Sequence, residues 1–115
     1  MSKITNDKAG DDFETKIAKR FGFRKQPNSG ATKFKKGDLV NDNFLLDCKT
    51  CVEDKKSVTI KEEWITKIKS EALSQGKLFS GICFSFGQNK EPYFIVDGKL
   101  FTYLLDYIRL ERIDK

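Results

Sequence analysis

The sequence predicts a single α/β domain of the α+β kind, with a mixed sheet and the order α-β-β-α-β-β-α over its 115 residues. Three observations lead there. Apolar residues recur at helical spacing in three separate segments, and between them lie short runs that alternate or are continuously apolar, as strands do. One helix stands between two strand pairs, which permits a crossover and therefore parallel as well as antiparallel pairing. The length suits one core, and ten phenylalanines supply apolar bulk for it.

The first helix is expected over residues 11–21, where Phe13, Ile17 and Phe21 recur at i, i+4, i+8 and Ala18 widens the stripe. Gly22 supplies its stop. Glu14 falls at the margin of the stripe, while Lys16, Lys19 and Arg20 point away from it. Residues 24–36 contain Pro27-Asn28-Ser29-Gly30 and no hydrophobic period, so they read as a loop.

A hairpin follows. Residues 37–40 and 44–50 form its strands around Asn41-Asp42-Asn43. A two-residue loop at Asp42-Asn43 pairs Asn41 with Phe44, and therefore Asp38 with Asp47. Alternation puts Leu45, Asp47 and Lys49 on one face and Phe44, Leu46 and Cys48 on the other. Cβ atoms of facing residues lie roughly 4.5–5.5 Å apart. At an effective dielectric near 20 the repulsion between two such carboxylates is on the order of 4 kcal/mol. Something must offset it, and a divalent cation held by oxygen ligands is the candidate.

Thr59-Ile60-Lys61-Glu62 fits a capping box opening a second helix, which runs through Ile65, Ile68 and Ala72 to Gly76, with Trp64 and Leu73 flanking the stripe. Strands are expected over 80–86 and 93–96, with a turn at 87–90. Asp97-Gly98 breaks the second strand, and Phe101, Leu104, Leu105 and Ile108 mark a final helix.

Composition narrows the chemistry. The chain contains no histidine, which excludes zinc hydrolases with histidine ligands, Ser-His-Asp hydrolases and nucleases with a histidine base. Cys48-Lys49-Thr50-Cys51 matches C-x-x-C, but only Cys83 remains as a further thiol. Cys48 and Cys83 are expected as small buried hydrophobes in neighbouring strands. No apolar run reaches the ~18 residues of a membrane span, and the first residues lack a signal-peptide core, so the expected location is cytoplasmic.

The net charge of +5 is unevenly placed. Lys16, Lys19, Arg20, Arg24, Lys25, Lys33, Lys35 and Lys36 occur within residues 16–36 without one acidic residue, and the run leads directly into Asp38. Bases that lead into paired carboxylates suit an enzyme that holds phosphates beside a metal.

These elements and residues resemble the PD-(D/E)xK nuclease superfamily with its restriction-endonuclease-like core, and within it the small Holliday-junction resolvases of archaeal and phage type. The likeness spans about residues 8 to 105. It rests on Glu14 in an early helix, Ser29-Gly30 in a basic loop, Gly37-Asp38, Asp47-Cys48-Lys49-Thr50, then a long helix and a strand at 81–86. Two departures are Gly37 in place of the usual proline and Asp47 in place of the frequent glutamate.

The resemblance implies Mg2+, with Mn2+ as substitute, bound by Asp38, Asp47 and the Cys48 carbonyl, with Glu14 as a further ligand. Lys49 would orient or deprotonate the attacking water and stabilise charge on the phosphate. Ser29, Lys33, Lys35 and Lys36, together with Arg24 and Lys25 of the same basic segment, would contact the DNA backbone. A homodimer acting on four-way or otherwise branched DNA is implied, with Trp64, Tyr103 and Tyr107 as candidates for the pairing surface. The alternatives are a nuclease of the same fold acting on flaps, ends or restriction sites, and a non-catalytic DNA-binding module. Facing carboxylates beside phosphates argue against the module.

Overall fold

The computed structural model describes residues 6–26 and 38–113. Within them the order is α1 (Asn6–Phe21), β1 (Arg24–Lys25), β2 (Leu39–Val40), β3 (Phe44–Lys49), α2 (Glu62–Ser74), β4 (Phe79–Phe84), β5 (Tyr93–Ile95) and α3 (Gly98–Ile113). The fold is α+β, with one mixed sheet of five strands in spatial order β1-β2-β3-β4-β5. Pairing is antiparallel except between β3 and β4, which run parallel across the α2 crossover. None of the described helices is long and apolar enough to cross a membrane.

Alternation along β2 and β3 divides the core in two. Leu39 and Leu46 face α1, where they pack with Phe13, Ile17 and Cys83. Val40 and Leu45 face α2, where they pack with Ile68, Ala72 and Ile82. The central strands are thus apolar on both sides, as a strand covered by two helices must be. Helix α1 begins five residues before the expected start, and Ala9 extends the buried stripe back from Phe13 and Ile17. Phe21 departs from that stripe: it is partly exposed and meets Phe94 edge to face, with ring centroids 4.9 Å apart. Gly22 and Gly76, at φ of +75° and +70°, end α1 and α2 in the left-handed conformation that a side chain would disfavour.

Three expectations need correction. Arg24 and Lys25 do not belong to a loop; they form an edge strand pairing Arg24 with Val40 and Lys25 with Leu39. Thr59 does not cap α2. The helix starts after Lys61, whose extended backbone forms the N-cap without any side-chain hydrogen bond, and Glu62 and Glu63 provide negative charge at the helix start. The fourth strand ends at Phe84, so Ser85 and Phe86 lie beyond it. Asp97 does act at the junction expected of it, as its carboxylate accepts from the Leu100 N–H at 2.8 Å and caps α3.

Candidate active site

The hairpin has the register that the two-residue loop requires. Leu39 faces Leu46 and Val40 faces Leu45; Asp38, one residue beyond these pairs, bonds back to Leu46 and brings its carboxyl beside that of Asp47. The loop is set by Asn41, whose side-chain oxygen accepts from the N–H groups of Asn43 (2.9 Å) and Phe44 (2.8 Å). This is the local bond that makes asparagine a turn residue. The Asn41 N–H closes the hairpin on the Phe44 carbonyl.

Asp38 is held from three sides. Its N–H donates to the Leu46 carbonyl at 2.8 Å, and its carbonyl accepts from the Gln26 N–H at 3.1 Å. Its carboxyl oxygen accepts from the Cys48 N–H at 2.6 Å. Burial pushes the Asp38 carboxyl up to about 7; its hydrogen bond with the Asp47 carboxyl and the negative fields of Asp47 and Glu14 act in the same direction, against the Cys48 N–H. The Asp38 carboxyl is therefore held well above its ordinary value, the behaviour of a carboxyl in a partly dry setting beside like charge.

Lys49 follows on the same face. Its ammonium lies 3.3 Å from the Asp47 carboxylate and 4.6 Å from the centre of the Trp64 ring. Trp64 belongs to the first turn of α2 and packs partly buried against the α2-side core. It thus serves as a floor for the lysine, and it is not the exposed aromatic that a pairing surface would need. A cation over an indole gains about 0.5–1 kcal/mol at an exposed site, enough to bias the lysine towards the carboxylates. This role was not legible in the linear sequence, because Trp64 comes to Lys49 only through the crossover.

Glu14 is half-buried on α1, across the sheet from α2, and burial raises its carboxyl pKa, opposed by Lys25 and reinforced by Asp11 and Asp47. Its field reaches Asp38, but among the described residues no three carboxylate or thiol side chains gather closely enough to enclose a metal. Side chains alone thus bring together Asp38, Asp47 and Lys49, with Glu14 at longer range. Cys48 and Cys83 are neighbours across β3 and β4, and hydrogen bonding to Cys83 with burial pushes the Cys48 thiol far up. A thiol so held stays protonated and behaves as core, not as a soft-metal ligand.

The basic residues separate into groups. On α1, Lys16 donates to Asn89 at 2.6 Å and Arg20 forms a two-pronged pair with Glu91 at 2.9 and 3.0 Å. Lys25 forms an ion pair with Asp11 and holds that carboxylate below its ordinary pKa. Arg24 is exposed on the edge strand. Ser29, Lys33, Lys35 and Lys36 lie outside the described residues. Gln26 and Asp38, the described residues on either side of that segment, meet in a backbone hydrogen bond. A cleft of about 530 Å³ between α1 and residues 88–92 is lined by Lys16, Arg20, Asp12 and Glu91 and does not include the carboxylate pair. Within it Arg20 is already paired with Glu91. Comparisons with protein-family models, curated proteins and solved structures returned no match for this chain.

Proposed function

We propose that this chain is a metal-dependent endonuclease that hydrolyses DNA phosphodiester bonds, with branched DNA such as a four-way junction as its substrate. The observation that carries the reading is the facing pair Asp38 and Asp47, joined by a hydrogen bond, with Lys49 beside Asp47. Asp38, raised to about 7 by burial and by the negative charge of Asp47 and Glu14, marks a place where negative charge is under-compensated. That donor set, two hard oxygen groups and no free soft ligand, fits Mg2+ or Mn2+. Asp38, Asp47 and the Cys48 carbonyl would hold the ion, with Glu14 acting at longer range. When bound, such an ion polarises the phosphoryl oxygen and acidifies water, which a chain without histidine requires.

The side chains divide the remaining work. Asp38 and Asp47 set the position at which the scissile phosphate is read. Lys49, steadied by Asp47 and Trp64, offers a proton donor and a positive charge where negative charge develops on the phosphate. The basic segment that precedes Asp38 in sequence supplies backbone contacts through Lys33, Lys35 and Lys36.

The reading is tested by incubating labelled four-way junction, matched duplex and flap DNA with the protein in magnesium. Junction cleavage that chelator abolishes is expected, and Lys49→Ala should slow its single-turnover rate far more than it weakens junction binding. Preference for flap or duplex would move the substrate within the nuclease class. Binding to all three without cleavage would favour the non-catalytic module.

The basic segment has its own test. If Lys33, Lys35 and Lys36 sit on phosphates, log affinity falls with log salt at about −0.9 per duplex contact. Replacing all three by alanine is expected to make that slope shallower by roughly 2–3 units. A salt titration of junction binding in calcium measures it. An unchanged slope would place the DNA elsewhere.

A further inference from the structure

The face of the sheet that carries Asp47 and Lys49 continues across two more strands. Lys49 is the partner of Phe84 in β4, and Phe84 of Tyr93 in β5, so these side chains form a row on one side. Ile82 and Ile95, two residues away on the same strands, pack into the α2-side core. Phe84 and Tyr93 lie past that core, Phe84 half-buried and Tyr93 51% exposed. Phe86 comes to the same side, because Ser85 turns the other way, where it is buried and bonds Thr50 at 2.9 Å. The Lys55 N–H holds the Phe86 carbonyl at 2.7 Å. The three rings make a triangle, with centroids 5.5 Å (Phe84–Phe86), 5.9 Å (Phe84–Tyr93) and 5.8 Å (Phe86–Tyr93) apart. Beside them an open depression of about 510 Å³ is lined by Lys55, Lys56, Lys90 and Glu91 together with Phe86 and Tyr93. Its acid is taken, Glu91 by Arg20, and Lys90 reaches Asp54 at 3.6 Å. Among the described residues Lys55 and Lys56 have no acidic partner.

We propose that Phe84, Phe86 and Tyr93, flanked by Lys55 and Lys56, form a platform on which unpaired bases of DNA stack beside the carboxylate pair. Every base has a π-face that an exposed ring can cover, and lysines next to the rings meet the phosphates between bases. In a duplex those faces already stack on one another, so only unpaired nucleotides can use the rings. A protein partner is a poorer occupant. Three partly covered rings of about 150–250 Å² each fall well short of the about 800 Å² per side of a stable interface, where lysine is also depleted. A small molecule prefers an enclosed pocket, and this depression is open.

Adjacent strands lie about 4.8 Å apart, which sets Tyr93 roughly 10 Å across the sheet from Lys49. At a duplex spacing of about 3.4 Å per nucleotide, that is about three nucleotides from a phosphate held at Asp38 and Asp47. This placement rests on the nuclease reading; the stacking does not. Together they select DNA that exposes bases next to the cut, as the opened centre of a branch does.

The test is binding of the full chain by fluorescence anisotropy in chelator, where metal-dependent cleavage cannot intervene. Three labelled probes of about 12 nucleotides are compared: oligothymidylate, an abasic strand with the same backbone, and a matched duplex. Wild type is expected to bind oligothymidylate about 10-fold or more tighter than the abasic strand. Tyr93→Leu and Phe86→Leu, which remove a ring and keep apolar bulk, should each cut that preference at least about 3-fold. Affinity for the abasic strand and the duplex should not change in either. Lys55→Ala with Lys56→Ala should weaken both single strands alike and make their salt slope shallower by about 0.7 per lysine. Tyr93 is exposed on an edge strand, so its variant decides if Phe86→Leu does not fold. Equal binding of oligothymidylate and abasic strand by wild type overturns the proposal, as does a preference that survives Tyr93→Leu in folded protein. A duplex affinity that falls with Tyr93→Leu as far as the oligothymidylate affinity overturns it too. Any of these would leave magnesium-dependent cleavage of junctions standing, whereas a protein that shows the preference and cleaves nothing would remove the nuclease reading alone.

Discussion

Asp38→Asn and Asp47→Asn are each expected to reduce magnesium-dependent cleavage by at least about 10³-fold in protein that remains folded. Either change removes one of two facing oxygen donors, and the remaining carboxylate with a backbone carbonyl makes a weaker seat for a divalent ion. The fold should tolerate both. An asparagine at position 38 keeps an oxygen that can accept from the Cys48 N–H, the bond at 2.6 Å that ties the two strands beyond their backbone ladder. Neutralising one member also relieves repulsion, so the metal-free melting temperature should hold or rise. Cleavage assays on purified variants, paired with thermal melts in chelator, measure both effects. Near wild-type cleavage by either folded variant would sink the assignment of the site.

The second large effect is on stability against pH. In the unfolded chain an aspartate titrates near 3.9; in the fold Asp38 is pushed up to about 7 by burial and by Asp47. Below the unfolded value both states hold the proton and no difference arises. Between the two values the unfolded state releases it while the folded state keeps it, so the folded state binds more protons and stability falls as pH rises. The loss is complete above pH ~7 and amounts to about 4 kcal/mol at ~1.4 kcal/mol per unit. Glu14, also raised by burial, acts in the same direction. The exposed pairs Lys25–Asp11 and Arg20–Glu91 act oppositely, through carboxylates held below their ordinary values, but they titrate only at acid pH. Metal-free protein should therefore melt higher near pH 5.5 than near pH 8. Asp38→Asn should flatten the dependence, and magnesium at pH 8 should restore much of the loss. A melting temperature that is level or climbs between these pH values in wild type would show that Asp38 is not the strained group.

By itself the sequence determined what depends on local period and turn chemistry. The 3.6-residue recurrence of Phe13 and Ile17 marks the buried side of α1, because a helix returns those positions to one face. The two-fold alternation of β3 sends Leu46 and Leu45 to opposite layers and puts Asp47 and Lys49 on one side. Asn41 sets the register that pairs Leu39 with Leu46 and Val40 with Leu45, and so brings Asp38 to the end of the hairpin where Asp47 lies. Tertiary structure alone decided the rest. Arg24–Lys25 became a strand because an open edge at β2 accepted it; two residues carry no pattern that would mark one. Lys25 turned to Asp11, and Lys49 settled on Trp64, because folding brought partners 14 and 15 positions away within reach. The apolar residues of α3 identified a helix, but a periodic pattern says only that a face is apolar. Whether that face is covered depends on where the chain leaves the sheet, and here it leaves Leu104 and Ile108 in the open.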